Sequence, residues 1–388
     1  MKAVGVICEY NPFHLGHRKQ LRQLRSLFGP ETALVCIMSG NFVQRGEPAV
    51  FCKMARAAAA VDCGASLVLE LPVTGVLRSA EGFAHCGVEI LDALGVEMLA
   101  FGCESGGTED FLRLAAAMDT PEYQAALRAA LGEGRSYPAA REAAAESLHL
   151  SAELLKTPNN ILGLEYCRAA LGRRIRPAAL RREGDYHAAE ADPENPSATA
   201  VRALLADGGD WRPFVPEAAA AAFAGAERHF LRCGERAMLA RLRGMTKDGW
   251  AQTAHGSEGL WSLAWRAAQQ CGSLPEIENM IKSKRYPMTR VRRLLLCAYL
   301  GLTEADLKRE IPYVRVLAMD DTGRRVLREM RGSETIPVIN AGQTPEDPDY
   351  FALELRAAGL YGLFGAGDVF SPPSQLREER IYVRRDAE

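Results

Sequence analysis

The sequence predicts an α/β fold, with a helix-covered parallel sheet in the first half of the chain and a mainly helical C-terminal domain after it. Three observations carry this reading. Short apolar runs rich in Val, Ile and Leu recur between helix-length segments, as βαβ units require. Those runs are continuously apolar rather than alternating, which suits strands covered on both faces. From about Arg202 the β signal fades and long helical patterns take over.

The elements follow in order. The expected strands are AVGVICEY (3–10), ALVCIMS (33–39), SLVLELP (66–72), VEMLAFG (96–102) and a weaker RPAALR (176–181). Between them RKQLRQLRSLF (18–28) and CKMARAAAAVDCG (52–64) carry helical spacing. Helical patterns then run through 216–243, 258–271 and 289–302. YVRVLAM (313–319) and TIPVIN (335–340) have the composition of short strands, and residues 371–388 read as a loosely packed tail. The expected division is 1–210 for a nucleotide-binding catalytic domain, 211–325 for a helical basic domain and 326–388 for a C-terminal extension.

Composition excludes several classes. A chain of 388 residues with 48% hydrophobic and 25% charged residues is an ordinary globular one, large enough for an extensive core. No apolar stretch reaches membrane-spanning length, and the start lacks a signal-peptide cleavage region, so a cytoplasmic location is expected. The ten cysteines are scattered singly without a CxxC pair, which argues against a zinc ribbon and for buried thiols in a reducing compartment. Charge is uneven: the balance is −6 over residues 1–227, +8 over 228–325 and −4 over 326–388. A basic block between acidic ones suggests a polyanion surface.

The stretch EYNPFHLGH (9–17) follows directly on the first strand. Ligands of open α/β sheets bind at the carboxyl ends of the strands. Asn11 and Pro12 break the strand, and a helix is expected from about His14. Its N-terminus offers free N–H groups and the positive end of a dipole, a site for phosphate. Gly16 permits close approach of a ligand, and His14 and His17 share one helix face. Two imidazoles there can donate to a triphosphate as charge builds in the transition state. No third ligand at metal spacing is evident nearby. A second polar stretch, SATAVR (197–202), opens a late helix, with Ser197 and Thr199 as capping and phosphate contacts and Arg202 as the cation for leaving pyrophosphate.

HxGH after the first strand, together with SATAVR, resembles the two signatures of the nucleotidyltransferase superfamily. GVICEYNPFHLGH, MSGNFVQRGEPAVFCKMARAAAAVDCGASLVLELP, SAEGFAHCGVEIL, LAFGCE, PNNILGLEY and KSKRYPMTRVRRLLL together resemble the tRNA(Met) cytidine acetate ligase family, densely over 1–105 and again over 258–317. The resemblance implies a Rossmann-like nucleotidyltransferase domain. It also implies a reaction in which acetate and ATP, with Mg²⁺, form acetyl-adenylate and pyrophosphate. The acetyl group then passes to N4 of the wobble cytidine of elongator tRNA(Met). His14, His17 and Arg202 are the implied catalytic residues. The implied ATP-binding set is Ile7, Cys8, Glu9, Tyr10, Asn11, Pro12, Phe13, His14, Leu15, Gly16, His17, Arg18, Lys19, Gln20, Gly102, Asn159, Asn160, Arg182, Ser197 and Thr199. Ser39, Gly40, Asn41, Gln44 and Arg45 form a polar loop on the same rim that suits acetate or the α-phosphate. Lys53 and Arg56, on the next helix, read either as phosphate ligands or as a solvated face.

Lys282, Lys284, Arg285, Arg290, Arg292 and Arg293 cluster around Tyr286, which suits backbone phosphates and a stacked base of tRNA. The competing reading on the same fold is a small-molecule adenylyltransferase or acid–amine ligase, which needs no polyanion surface. No membrane contact and no obligate protein partner are expected.

Overall fold

A computed structural model describes residues 2–181, 196–330 and 335–384. The strands are β1 (Ala3–Cys8), β2 (Ala33–Ser39), the short pair β3 (Phe42–Val43) and β4 (Glu47–Pro48), β5 (Leu67–Leu71), β6 (Met98–Cys103), β7 (Arg176–Arg181), β8 (Val314–Met319), β9 (Val338–Asn340) and β10 (Tyr382–Val383). All five strands expected from the first half are present. They pair in parallel in the order β5–β2–β1–β6–β7, so their carboxyl ends share one rim.

The continuous apolar runs are explained by a core on each face. Val4, Val6, Leu34, Cys36 and Val68 meet Leu21 and Leu24 of the helix Leu15–Phe28 and Ala57, Ala60 and Val61 of the helix Lys53–Asp62. Ile7, Val35, Ile37, Leu67 and Leu69 meet Phe83, Val88 and Leu91 of the helix Ala80–Ala93 and Leu164 of the helix Pro158–Ala170. Residues alternate between the two cores along each strand, as pleating demands.

The sheet continues beyond the first half. β8 pairs antiparallel with β5, matching Leu67 to Met319 and Val68 to Ala318, and β9 and β10 both pair parallel with β8. The boundaries expected at 210 and 325 therefore do not bound the sheet: residues assigned to the helical domain and to the extension complete it. The expected loose tail is docked as well. Tyr382 donates to Asp62 (2.8 Å), Arg384 to the Val61 carbonyl (3.0 Å), and Glu379 lies 3.2 Å from the ammonium of Lys53.

Of the expected helical stretches, 216–243 divides into the helices Glu217–Phe223 and Glu235–Gly244, while Leu260–Gln270 and Met288–Leu300 form as expected; the helix Leu274–Ile281 between them was not expected. Met288–Leu300 is nearly all core, with Val291 and every residue from Arg293 to Leu300 buried. Among the described residues no helix is long and apolar enough to cross a membrane.

Candidate active site

A cleft of about 260 Å³ opens at the carboxyl ends of β1 and β6. The exit of β1 forms its floor. Tyr10 takes a left-handed backbone (φ 46°), uncommon for a bulky residue, and Asn11–Pro12 is cis. Asn11 ties three segments together: its side-chain oxygen accepts from the Val50 N–H (2.8 Å), and its carbonyl accepts from Arg202 (2.8 Å). Beneath it Arg56, fully buried, donates to the carbonyls of Glu9 (2.5 Å), Phe51 (2.9 Å), Ser39 (3.1 Å) and Gly40. A single guanidinium thus gathers the ends of β1 and β2.

The helix Leu15–Phe28 begins with an unusual capping box built from the two histidines. His14 Nδ1 accepts the Gly16 N–H (3.1 Å), and His17 Nδ1 accepts the His14 N–H (3.2 Å). The rings stack, with centroids 3.7 Å apart, and Tyr10 meets His17 edge-on. A ring nitrogen that accepts carries no proton, so the proton of each neutral imidazole sits on Nε2. The cap therefore sets both rings as donors at a helix N-terminus, where an anion is favoured.

Arg202 lies across the cleft, on the helix Ala198–Asp207. Ser197 caps that helix by accepting the Ala200 N–H (3.0 Å), and Thr199 accepts from Arg202 (3.2 Å). Burial lowers the Arg202 pKa from the ordinary arginine value, against the opposing fields of Glu47 and Glu9. Glu9 itself is held by the Gln44 N–H (2.7 Å). Burial pushes its carboxyl above the usual range, against that hydrogen bond and the charges of Arg45 and Arg202. Among the described residues Glu9 and Glu47 are the carboxylates lining the cleft. Among the described residues no group of three His, Cys, Asp or Glu side chains is placed to hold a metal.

Residues 1–370 match the family model described as HIGH Nucleotidyl Transferase. The tRNA(Met) cytidine acetate ligase of Alkaliphilus metalliredigens is 33% identical, with each chain covered in full. That of Kosmotoga olearia is 32% identical over 99% of this chain and 100% of its own. The crystal structure of apo Thermotoga maritima TmcAL superposes with a TM-score of 0.90 at 31% identity over 100% of both chains. The form bound with alpha-thio ATP gives 0.88 at 30% identity over the same coverage. The chain belongs to the tRNA(Met) cytidine acetate ligase family.

Within this ligase family member, the expected site residues divide by position. Ile7, Cys8, Glu9, Tyr10, Asn11, His14, His17, Gln20, Gly102, Asn159, Ser197, Thr199, Arg202, Gln44 and Arg45 line the cleft. Pro12, Phe13, Leu15, Gly16, Arg18 and Lys19 do not, although Gly16 supplies the N–H that orients His14. Asn160 is fully buried and joins the Glu104 N–H (2.9 Å) to Ser105 (2.8 Å), so the cleft-facing member of the pair is Asn159. Arg182 lies outside the described residues.

Ser39, Gly40 and Asn41 depart from expectation, because none lines the cleft. Ser39 is buried at the end of β2, and Asn41 caps the helix Lys53–Asp62 by accepting the Lys53 N–H (2.8 Å). Gly40 and Asn41 instead border a separate 30 Å³ cavity beside Lys53, Glu70 and Glu354. Neither Lys53 nor Arg56 forms a solvated face; both are buried. Sequence reasoning missed Glu47, Phe83 and Tyr166 as cleft residues; βα-loop position alone pointed to Glu47, and no local signal marks the others.

The basic cluster is also corrected. Lys282, Lys284 and Arg285 are exposed. Tyr286 is buried, its hydroxyl donating to the Glu258 carbonyl (2.6 Å), so it offers no open face to a base. Arg290 is held by Glu258 (3.1 Å) and Ser257 (2.8 Å). Arg292 bridges Glu278 (3.1 Å) on the preceding helix and Glu47 of the cleft loop, and Arg293 is buried and donates to the Gln44 carbonyl (3.4 Å). Two of the six cations, Arg292 and Arg293, brace the cleft loop rather than facing solvent.

Proposed function

We propose that the chain is an ATP-dependent ligase that activates acetate as acetyl-adenylate and acetylates N4 of the wobble cytidine of elongator tRNA(Met), in the cytoplasm. The observation that carries the reading is the juxtaposition, across one cleft, of the histidine capping box and an Arg202 anchored to the Asn11 carbonyl. Adenylation by in-line displacement needs mainly positioning and charge stabilisation. A carboxylate oxygen attacks the α-phosphorus, and pyrophosphate leaves. His14 and His17 donate from Nε2 to the phosphate oxygens, Arg202 neutralises the leaving group, and Arg45 screens the incoming carboxylate. Magnesium, carried by ATP, supplies further charge neutralisation. Gly102, Asn159 and Gln20 fit the nucleoside part, since they line the same cleft from β6 and the flanking helices. Lys282, Lys284 and Arg285 remain open to phosphates of the RNA.

The test is acetate-dependent pyrophosphate release from ATP, with and without elongator tRNA(Met), followed by mass spectrometry of the tRNA. Acetate-dependent release with an acetyl group on the wobble cytidine is the expected result. Release only with another acid or an amine, with the tRNA untouched, would move the function to small-molecule ligation on the same fold.

A further inference from the structure

Acyl transfer to a cytidine amine poses a problem that adenylation does not. The lone pair of N4 is delocalised into the base, so the amine is a poor nucleophile, and its proton must leave as the bond to the carbonyl carbon forms. Among the described residues the cleft offers many donors and few groups basic enough to take a proton. Nδ1 of His14 and of His17 each already accepts a backbone N–H, which leaves the neutral rings as donors. Arg45 and Arg202 only donate. Glu47 Oε1 is paired with the Arg292 guanidinium, so that carboxylate is held in an ion pair. The Tyr10 hydroxyl sits against Cys36 (3.5 Å), and burial raises its pKa well above the ordinary tyrosine value.

Glu9 differs from all of these. It follows directly on β1 at the floor of the cleft, two residues from the Asn11 that ties the floor together. Its Oε1 is anchored by the Gln44 N–H at 2.7 Å, and the Arg56 strut holds its backbone carbonyl. Among the described residues nothing hydrogen-bonds its Oε2, and Glu9 lines the cleft, so this oxygen is available to a ligand bound there.

We propose that Glu9 is the general base of the acetyl-transfer step, a role that rests on the acetate-ligase reading above. N4 attacks the carbonyl carbon of acetyl-adenylate and the C–N bond forms. The carbonyl π pair moves to oxygen and returns as the bond to the AMP phosphate oxygen breaks. The N4 proton passes to Glu9 Oε2 and from there to solvent. The products are the N4-acetylated base, AMP and one proton. The same carboxylate is unneeded in adenylation, where the attacking acetate has no proton to lose.

The experiment separates the two half-reactions in the full-length protein. Enzyme preloaded with ATP and acetate is mixed with elongator tRNA(Met), and single-turnover acetylation is followed from pH 5.5 to 8.5. Pyrophosphate release without tRNA is measured in parallel. Glu9→Gln keeps an acceptor for the Gln44 N–H and removes the base. Its ratio of transfer rate to adenylation rate is expected to fall at least ~100-fold, within the range of general-base effects. The wild-type transfer rate is expected to rise with pH, the Gln variant to lose that rise, and Glu9→Asp to restore it in part. An equal loss in both half-reactions would make Glu9 a nucleotide-positioning residue and overturn the proposal. So would a Gln variant whose main defect is a raised Mg²⁺ requirement for pyrophosphate release, or one that keeps the wild-type pH profile. Wild-type enzyme that releases no pyrophosphate with acetate would refute the ligase reading itself, a distinct outcome.

Discussion

Gly46 gives a sharp test of how the cleft loop is held. It sits in the left-handed region (φ +83°) between Arg45 and Glu47. A Cβ there would lie 2.7 Å from the carbonyl carbon of Arg292 and 2.7 Å from the nitrogen of Arg293. Both are backbone atoms of a buried helix, so relief must come from the loop. Gly46→Ala therefore combines the left-handed penalty of about 1–2 kcal/mol with an overpacking cost of about 1–3 kcal/mol. At about 2.1 cal/mol/K per residue, a total of about 2–5 kcal/mol lowers Tm by about 2–6 °C for a chain of this length. Reaching ordinary van der Waals distance moves the loop by roughly 0.7 Å, and displacements near 1 Å cost up to about 100-fold in rate. Pyrophosphate release should therefore fall about 10- to 100-fold. Gly134→Ala is the control, since Gly134 has nearly the same φ (+81°) with nothing within 4 Å of an added Cβ. It should show the left-handed penalty alone and full activity. Calorimetry and a pyrophosphate assay on both variants decide the matter. A Gly46→Ala protein matching the Gly134→Ala protein in Tm and rate would refute the packing of this loop on the helix.

Replacing Lys282, Lys284 and Arg285 together with Glu should weaken tRNA binding and reduce its salt dependence, by about one in log–log slope per lost phosphate contact, leaving pyrophosphate release without tRNA within about twofold; filter binding across a salt series checks this. Arg290→Glu should lower Tm as well, because it breaks the bonds to Glu258 and Ser257. Burial and the charge of Arg293 lower the His255 pKa to about 4, with Nε2 2.6 Å from the Leu77 carbonyl. The unfolded chain takes up this proton near pH 6.5 and the folded one does not. The resulting stability is therefore full above 6.5 and declines as pH falls toward 4, by at most about 3 kcal/mol. His255→Asn should flatten that part of the Tm–pH curve. Lys53→Met leaves Glu70 and Glu379 without their counter-charge, at about 3–5 kcal/mol; a lower Tm and faster proteolysis after residue 370 are expected.

The parallel strands were legible because burial on both faces writes itself as unbroken apolar runs, and the rim motif because HxGH must follow a strand to work. Arg202 was legible from SATAVR, although its partner, the Asn11 carbonyl, is distant in sequence. What the sequence hid were pairings over long separations. Lys53 read as a phosphate ligand or a solvated helix residue because its partners Glu70 and Glu379 are remote along the chain. The density of cations near Tyr286 suggested one RNA surface, yet Arg292 and Arg293 turn inward to Glu47 and the Gln44 carbonyl. YVRVLAM announced a strand, but nothing local says that it runs antiparallel beside β5. Ser39, Gly40 and Asn41 were misplaced because a polar turn after a strand looks the same whether it faces a ligand or caps the next helix.

The partnership of β8 with β5 also bears on how the protein is made. β5 ends at Leu71 and its neighbour is completed at Met319, roughly 250 residues later. At about 5–20 residues per second, the ribosome leaves that strand edge unpaired for roughly 12–50 s. An apolar edge with open N–H and C=O groups is a template for pairing with other chains. The nascent protein therefore passes through an aggregation-prone interval whose length is set by topology, and which slower translation of the helical segment would prolong.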